Sequence, residues 1–324
     1  MLRKLSELDY FNYFYLESTM STAMNNIAII IITYNRPEDM LALAKNIVGL
    51  DQKEQYLEEV IIVNNNSTKD YTTVKDFMDL HKEVNFKYIH SPENLGVSKG
   101  RNFAIQQASA PLLLMLDDDC ELAEKNALQT IAHLFEAKPK TGIISIKVEY
   151  FQNRQIQENA FPHKQFIKYK DLAQFDTYYF AGGAHIVRKA LMDEVGYYPE
   201  NFFYGMEEYD LSYRILNAGY LIEYNAGITM LHKESPEGRQ ATKDKLKGMW
   251  LNKSIVAYTY LPKGYFMTTA MMWSLFYLVN SKFDLIGFIK NWLTVFKIPS
   301  QTKRMPLATN TLQYLNKVEA RLWY

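Results

Sequence analysis

The chain has 324 residues, 48% of them apolar, and its 36 basic residues balance 36 acidic ones. That length suits one large domain or two smaller ones with a sizeable core, and the neutral balance argues against a nucleic-acid partner that needs a broad basic surface. A single cysteine, Cys120, excludes an internal disulfide framework and fits a reducing compartment.

Residues 1–25 read as an N-terminal extension, aromatic-rich but without a period, in which Met20 and Met24 are alternative starts. Its opening, MLRKLSELDYFNYFYLEST, lacks the clean apolar core and small-residue cleavage site of a signal peptide. No segment reaches the roughly 18 uninterrupted apolar residues of a membrane span. The longest candidate, FMTTAMMWSLFYLV, is broken by Thr and Ser. A cytoplasmic location is expected.

From Ile27 the pattern becomes regular. IAIIIIT predicts a buried strand, and PEDMLALAKNIVGL a helix with Pro37 in its first turn. EVIIVNNNS and NFKYIHS predict two more strands, GVSKGRNFAIQQA a helix, and APLLLMLDDD a fourth strand. NALQTIAHLFEAK continues as a helix and TGIISIKVEYF as a strand, whereas residues 152–180 lack a strong period and read as loops over a site. AGGAHIVRKALMDEVG predicts a glycine turn, a short strand and a helix. GMEEYDLSYRILNAGY predicts a helix closed by Gly219, and LIEYNAGITMLHKES ends in a strand. The alternation implies an α/β fold over residues 26–240, a mostly parallel sheet flanked by helices. Its strands end in TYNR, NNNS, SPENLG and DDDC, so these polar clusters should gather along one sheet edge, where open α/β sheets bind ligands. Residues 241–324, dense in Met, Trp, Tyr and Lys, are expected to form a helical C-terminal region.

Three adjoining carboxylates, Asp117, Asp118 and Asp119, repel one another unless a cation sits among them. At a strand end they form a hard oxygen site for Mn2+ or Mg2+, which bind through one or two carboxylates plus substrate phosphates. A helix cap would need only one of them. Asn94 and Gly96 form a turn from which Lys99 and Arg101 enter a helix, an arrangement suited to a diphosphate, although P-loop spacing is absent. Glu207, Glu208 and Asp210 offer a general base; their ordinary reading is first-turn acids, with Asp210 and Arg214 as an i,i+4 pair. His232 follows an apolar strand, where a lone histidine is usually structural.

In order, TYNRP, VNNNSTKD, NLGVSKGRN, LLMLDDDCEL, AGGAHIVRK, GMEEYDLSYRILNAGY and LHKESPEGR resemble the family 2 inverting glycosyltransferases of the GT-A fold, over roughly Ile27 to Arg239. The resemblance implies inverting transfer of a sugar from a nucleotide-diphosphate donor, most naturally a UDP- or dTDP-sugar, to a saccharide or lipid-linked saccharide in surface-glycan synthesis. It implies Asp119 as the ligand of a divalent metal, His232 as a metal or phosphate contact, and Asp118 near the donor ribose; Asp117, the first of the run, is a further candidate ligand. Thr33, Tyr34, Asn35 and Arg36 match the first nucleotide loop, and Arg101 the arginine at the helix start. Glu208 matches the base. Two positions depart from the pattern. Asn64 stands where the family commonly has an Asp that accepts from the pyrimidine N3–H; an Asn carbonyl still accepts, but its amide also donates. Glu208 stands where Asp is usual, which leaves Asp210 as the alternative base.

Three rival classes fit these residues less well. A nucleotidyltransferase would begin with a glycine- and arginine-rich loop where this chain has TYNRP, and a haloacid-dehalogenase-like phosphatase would place its aspartates early in the chain. A non-catalytic sugar-nucleotide or glycan-binding module would lack the acids at 207–210. In the C-terminal region, FDLIGFIKNWLTVF puts Phe283, Ile286, Ile289, Leu293 and Phe296 on one helical face, amid Lys282, Lys290, Lys297, Lys303 and Arg304 and a single acid, Asp284. This predicts either peripheral contact with the inner face of the cell membrane or packing on the catalytic domain or a second subunit as a homodimer.

Overall fold

A computed structural model describes residues 26–237 and 242–322. The expected N-terminal extension and Arg239 of the last motif lie outside them. The first half alternates as expected, with one helix more, α2, than the sequence predicts: β1 Ile27–Thr33, α1 Pro37–Val48, β2 Leu57–Asn64, α2 Thr72–Leu80, β3 Phe86–His90, α3 Gly96–Gln106 and β4 Leu112–Asp117. It continues with β5 Cys120–Leu122, α4 Ala127–Ala137, β6 Thr141–Tyr150, β7 Gln174–Thr177, β8 Ala184–Arg188 and α5 Lys189–Val195. Then follow α6 Glu207–Asn217, β9 Leu221–His232, α7 Thr242–Tyr260, α8 Lys263–Asn280, α9 Leu285–Val295 and α10 Thr309–Lys317.

The strands form one sheet in the order β3-β2-β1-β4-β8-β6-β9-β5, with β7 also on β9. From β3 to β4 every pairing is parallel; β8 then enters antiparallel to both β4 and β6, while β6 and β9 run parallel. Both faces are covered, which is why IAIIIIT is an unbroken apolar run. Ala28 and Ile30 face one core with Ile105, Tyr213 and Trp250. Ile27, Ile29 and Ile31 face the other with Met40, Leu43 and Phe135. The first core passes without interruption from the sheet through α3 and α6 into the C-terminal helices, so the region after residue 241 is packed onto the α/β half.

Three elements were not legible as such. Residues 152–180 are not loop throughout, because β7 pairs antiparallel with β9 within them. Strand β5 is only three residues long, too short for a period to show. Helix α2 has only Val74 and Met78 buried. At the end of α6, the expected Gly219 is left-handed (φ +88). The Gly219 and Tyr220 N–H groups donate to the Leu216 and Ile215 carbonyls at 3.1 and 3.3 Å, a Schellman closure. Among the described residues no helix is long and apolar enough to cross a membrane.

Candidate active site

The polar strand ends do meet along one edge, stitched loop to loop. Thr33 and Asn64 end adjacent strands in register. Asn35, at φ 58, uses its side-chain oxygen to accept from the Thr68 and Lys69 N–H groups at 2.8 and 3.2 Å, and its own N–H donates to Ser67 Oγ at 2.8 Å. Thr33 Oγ1 lies 2.6 Å from the Tyr71 hydroxyl. Asn64 is buried; its Oδ1 accepts from the Ser67 N–H at 2.8 Å and its amide donates to the Tyr88 hydroxyl at 2.6 Å, so both ends of the side chain serve to hold the loop. Asn65, which no motif singled out, joins this loop to the next: its amide donates to Asn94 Oδ1 at 2.9 Å and its Oδ1 accepts from the Leu95 N–H at 2.8 Å. Asn94 Oδ1 also accepts from the Gly96 N–H at 3.0 Å, and the Val97 N–H donates to the Phe203 carbonyl at 2.8 Å, tying this turn to the segment before α6.

The aspartates stand at the centre of this edge. Asp118 and Asp119 are buried, Asp117 half-exposed. Asp118 accepts from Arg36 at 2.7 Å and from the Tyr34 N–H at 3.3 Å. Burial, opposed by Arg36, still pushes its carboxyl up to about 6. Asp119 Oδ2 lies 3.3 Å from Arg36 and accepts from the Ser235 N–H at 2.9 Å. Its Oδ1 lies 3.3 Å from His232 Nε2. Cys120 pairs with His232 across β5 and β9, which is how two residues far apart in sequence come together. Asp117, Asp119 and His232 each offer a ligand atom, and these atoms lie within 4.8 Å of one another. Cys120 stays outside this group, its buried thiol turned to the Asp117 carbonyl at 3.0 Å.

The histidine is held from behind by Gln157, another residue missed in the sequence. Gln157 donates its amide to Glu234 at 2.8 Å, so its Oε1 must accept from His232 Nδ1–H, also at 2.8 Å. Nε2 of a neutral imidazole then turns a lone pair toward a carboxylate oxygen, an arrangement that only a proton or a metal cation between them relieves. Burial alone would lower the His232 pKa; the Asp119 and Asp117 carboxylates outweigh it and raise it. The donor set of two carboxylates and one imidazole fits a hard to borderline divalent ion.

A second acidic group faces the first. Arg101, buried at the inner turn of α3, lies 3.3 Å from Glu207 and 3.6 Å from Asp117. Tyr198 lies against it, 5.7 Å from guanidinium carbon to ring centroid. Half-buried Glu208 follows Glu207 on α6; burial, then the Glu207 carboxylate, pushes its carboxyl up to about 8. Asp210 points elsewhere: its oxygens accept from Arg214 Nε at 2.9 Å and from the Tyr260 hydroxyl at 2.8 Å, while Arg214 also donates to the carbonyls of Val195 and Tyr197. That cluster clamps α6 to α7.

Between the two groups runs the Gly182–Gly183 turn. A Cβ on Gly182 would lie 2.1 Å from Glu208 Oε1, and one on Gly183 would lie 2.1 Å from the Asp117 carboxyl carbon. The pair is glycine because two carboxylates pass over it with no room for a methyl group. His185 steadies the turn: Nδ1 donates to the Ala181 carbonyl at 3.0 Å and Nε2 accepts from the Tyr198 hydroxyl at 2.8 Å. Burial and the Arg101 charge push this imidazole down to about 3, so it stays neutral.

The family model for Glycosyl transferase family 2 matches residues 28–196. The chain is 27% identical over 178 residues to an uncharacterized protein of Haemophilus influenzae, covering 54% of this chain and 94% of that one. It is 23% identical over 208 residues to the low-salt glycan biosynthesis hexosyltransferase Agl10 of Haloferax volcanii, covering 60% of this chain and 62% of that one. Among solved structures, GalNAc-T7 with UDP, GalNAc and Mn2+ aligns with a TM-score of 0.62 at 17% identity, over 76% of this chain and 50% of that one. TarS 1-349 of S. aureus with UDP-GlcNAc gives 0.59 at 17% identity, over 84% and 81%. The chain thus spans nearly all of the first relative, under two thirds of the second and half of GalNAc-T7. The shared architecture is that of the GT-A glycosyltransferases.

Proposed function

The chain belongs to glycosyl transferase family 2, and on that premise we propose that it transfers a sugar from a nucleotide-diphosphate donor to a hydroxyl acceptor with inversion. The observation that carries this reading is the convergence of Asp117, Asp119 and His232 on one side of the Gly182–Gly183 turn with Glu208 on the other. A divalent ion, Mn2+ or Mg2+, held by those three side chains would stabilise charge on the donor diphosphate. The loops from Thr33 to Arg36 and around Asn64, with the turn at Asn94 and Gly96, line the donor side, where Asp118 faces the ribose of a UDP- or dTDP-sugar. Asn64 acts through the loop that it holds. Glu208 takes the proton from the acceptor hydroxyl, whose oxygen attacks the anomeric carbon opposite the departing nucleoside diphosphate. A single displacement inverts the configuration. Arg101 offsets the charge of Glu207 and Asp117. The acceptor is a saccharide or lipid-linked saccharide of a surface glycan.

Incubation with a panel of UDP-, dTDP- and GDP-sugars and Mn2+, without acceptor, tests this reading. Slow donor hydrolysis that EDTA stops is expected; no turnover of any donor would contradict it. A general base acts ionised, so activity is present above its pKa and lost as pH falls through it. With Glu208 pushed up to about 8, kcat/KM at saturating Mn2+ should climb as pH rises from about 5 toward 8. A flat profile over that range would contradict the assignment. Asp210→Asn should instead act on stability, lowering it by about 1–3 kcal/mol through the Arg214 and Tyr260 bonds and leaving kcat within a few-fold. Thermal unfolding beside initial rates separates the two effects, and a collapse of kcat with unchanged stability would move the base to Asp210.

A further inference from the structure

Helices α8 and α9 pack against each other and against α7, yet much of their outer surface is apolar. Leu275, Val279, Phe283, Ile286, Ile289 and Phe296 are between 51% and 70% exposed. Helix α9 carries two adjoining apolar stripes: Phe288, Trp292 and Val295 pack against the core, while Ile286, Ile289 and Leu293 stay exposed, so the exposed stripe is surplus to folding. At the tip between the helices, Lys282 and Phe283 both adopt left-handed backbone (φ 58 and 59), a strained conformation that holds an exposed aromatic ring outward beside a lysine. Lys282 at the tip, Lys290 on α9 and Lys297 just after it are exposed. Two acids lie among them: exposed Asp244 on α7, and Asp284, whose oxygens are taken up by the Gly287 N–H at 3.1 Å and the Tyr277 hydroxyl at 2.8 Å. Beside the apolar stripe lies a pocket of about 490 Å³, lined by Lys243, Asp244 and Lys247 of α7, by Tyr277 and Asp284, and by Ile286 and Lys290 of α9.

We propose that this face docks on a bilayer of anionic phospholipid, with the exposed stripe of α8 and α9 in the interface and a headgroup phosphate at Lys243, Lys247 and Lys290. The charge selects this occupant over a second copy of the chain. A two-fold contact through this face would lay lysines against lysines, and lysine is depleted in protein interfaces, whereas an apolar helix face with a basic surround suits an anionic membrane surface. Helix α7 connects this face to the transfer site: Asn252 donates to the Tyr204 and Gly205 carbonyls at 3.3 and 2.9 Å, just ahead of Glu207. Docking would therefore fix the direction from which an acceptor at the membrane surface approaches.

Flotation of the full chain with phosphatidylcholine vesicles, with or without phosphatidylglycerol, at low and high salt, reads this surface independently of sugar transfer. The chain should float with the anionic vesicles at low salt and lose at least tenfold in binding at high salt or on neutral vesicles. Lys243→Gln, Lys247→Gln and Lys290→Gln together should weaken binding about 100-fold. Ile286→Asp with Ile289→Asp, both at exposed positions, should abolish flotation with unchanged thermal unfolding. Protein that stays in the soluble fraction with anionic vesicles at low salt would overturn the proposal. So would a dimer in sedimentation that this double variant converts to monomer.

Discussion

Glu208→Gln is expected to lower kcat by about 10²- to 10⁴-fold, the usual cost of removing a general base, with donor affinity nearly unchanged. The amide keeps the size of the carboxyl but cannot take the proton, and the loss falls on the transition state alone. The change also removes a half-buried carboxyl whose pKa desolvation and Glu207 push up to about 8. Its ionised form is disfavoured in the fold, so thermal stability above neutral pH should hold or rise. Initial rates, donor binding and unfolding curves on the same preparation check all three expectations. Wild-type kcat in this variant would remove Glu208 from the mechanism.

Gly182→Ala should cost about 10²-fold in kcat, through geometry and without removing any functional group. The added methyl would stand 2.1 Å from Glu208 Oε1 and 3.2 Å from Arg101, so the carboxylate must move, and a misplacement of about 1 Å is enough for a loss of that size. Gly183→Ala presses instead on the Asp117 carboxyl at 2.1 Å, so its effect should appear first as weaker Mn2+ binding, read by electron paramagnetic resonance. Equal effects of the two variants on metal binding and on kcat would mean that the turn does not separate a base side from a metal side.

Much of this site was legible because its residues sit at the ends of strands whose apolar runs are unmistakable. IAIIIIT, EVIIV and LLLML place Thr33, Asn64 and Asp117 at one edge before any contact is known. The partners that set those residues were harder to read. Gln157 behind His232 lies in a segment without a period, and its role depends on the pairing of β6 with β9. Asn65 bridges two loops through bonds that leave no spacing in the sequence. Gly182 and Gly183 are visible as a turn, but that two carboxylates cross them is a fact of packing. Asp210 stands as the alternative base to Glu208; its Arg214 partner shows in the i,i+4 spacing, but the Tyr260 bond to its other oxygen leaves no such mark. In α9 the expected apolar stripe exists, but Phe288, Trp292 and Val295 on the other side carry the packing. A helix whose apolar arc is wider than the face it buries hides which part of that arc is covered.

The anomeric configuration of the first sugar product is the most direct test of the proposed chemistry. With an α-linked nucleotide sugar that the chain turns over, Mn2+ and either acceptor or water, proton NMR during the first turnovers should show the β-anomer forming before mutarotation, and Glu208→Gln should produce almost none of it. An α-product formed first, or equal product from the Glu208→Gln chain, would contradict a single displacement assisted by that carboxylate.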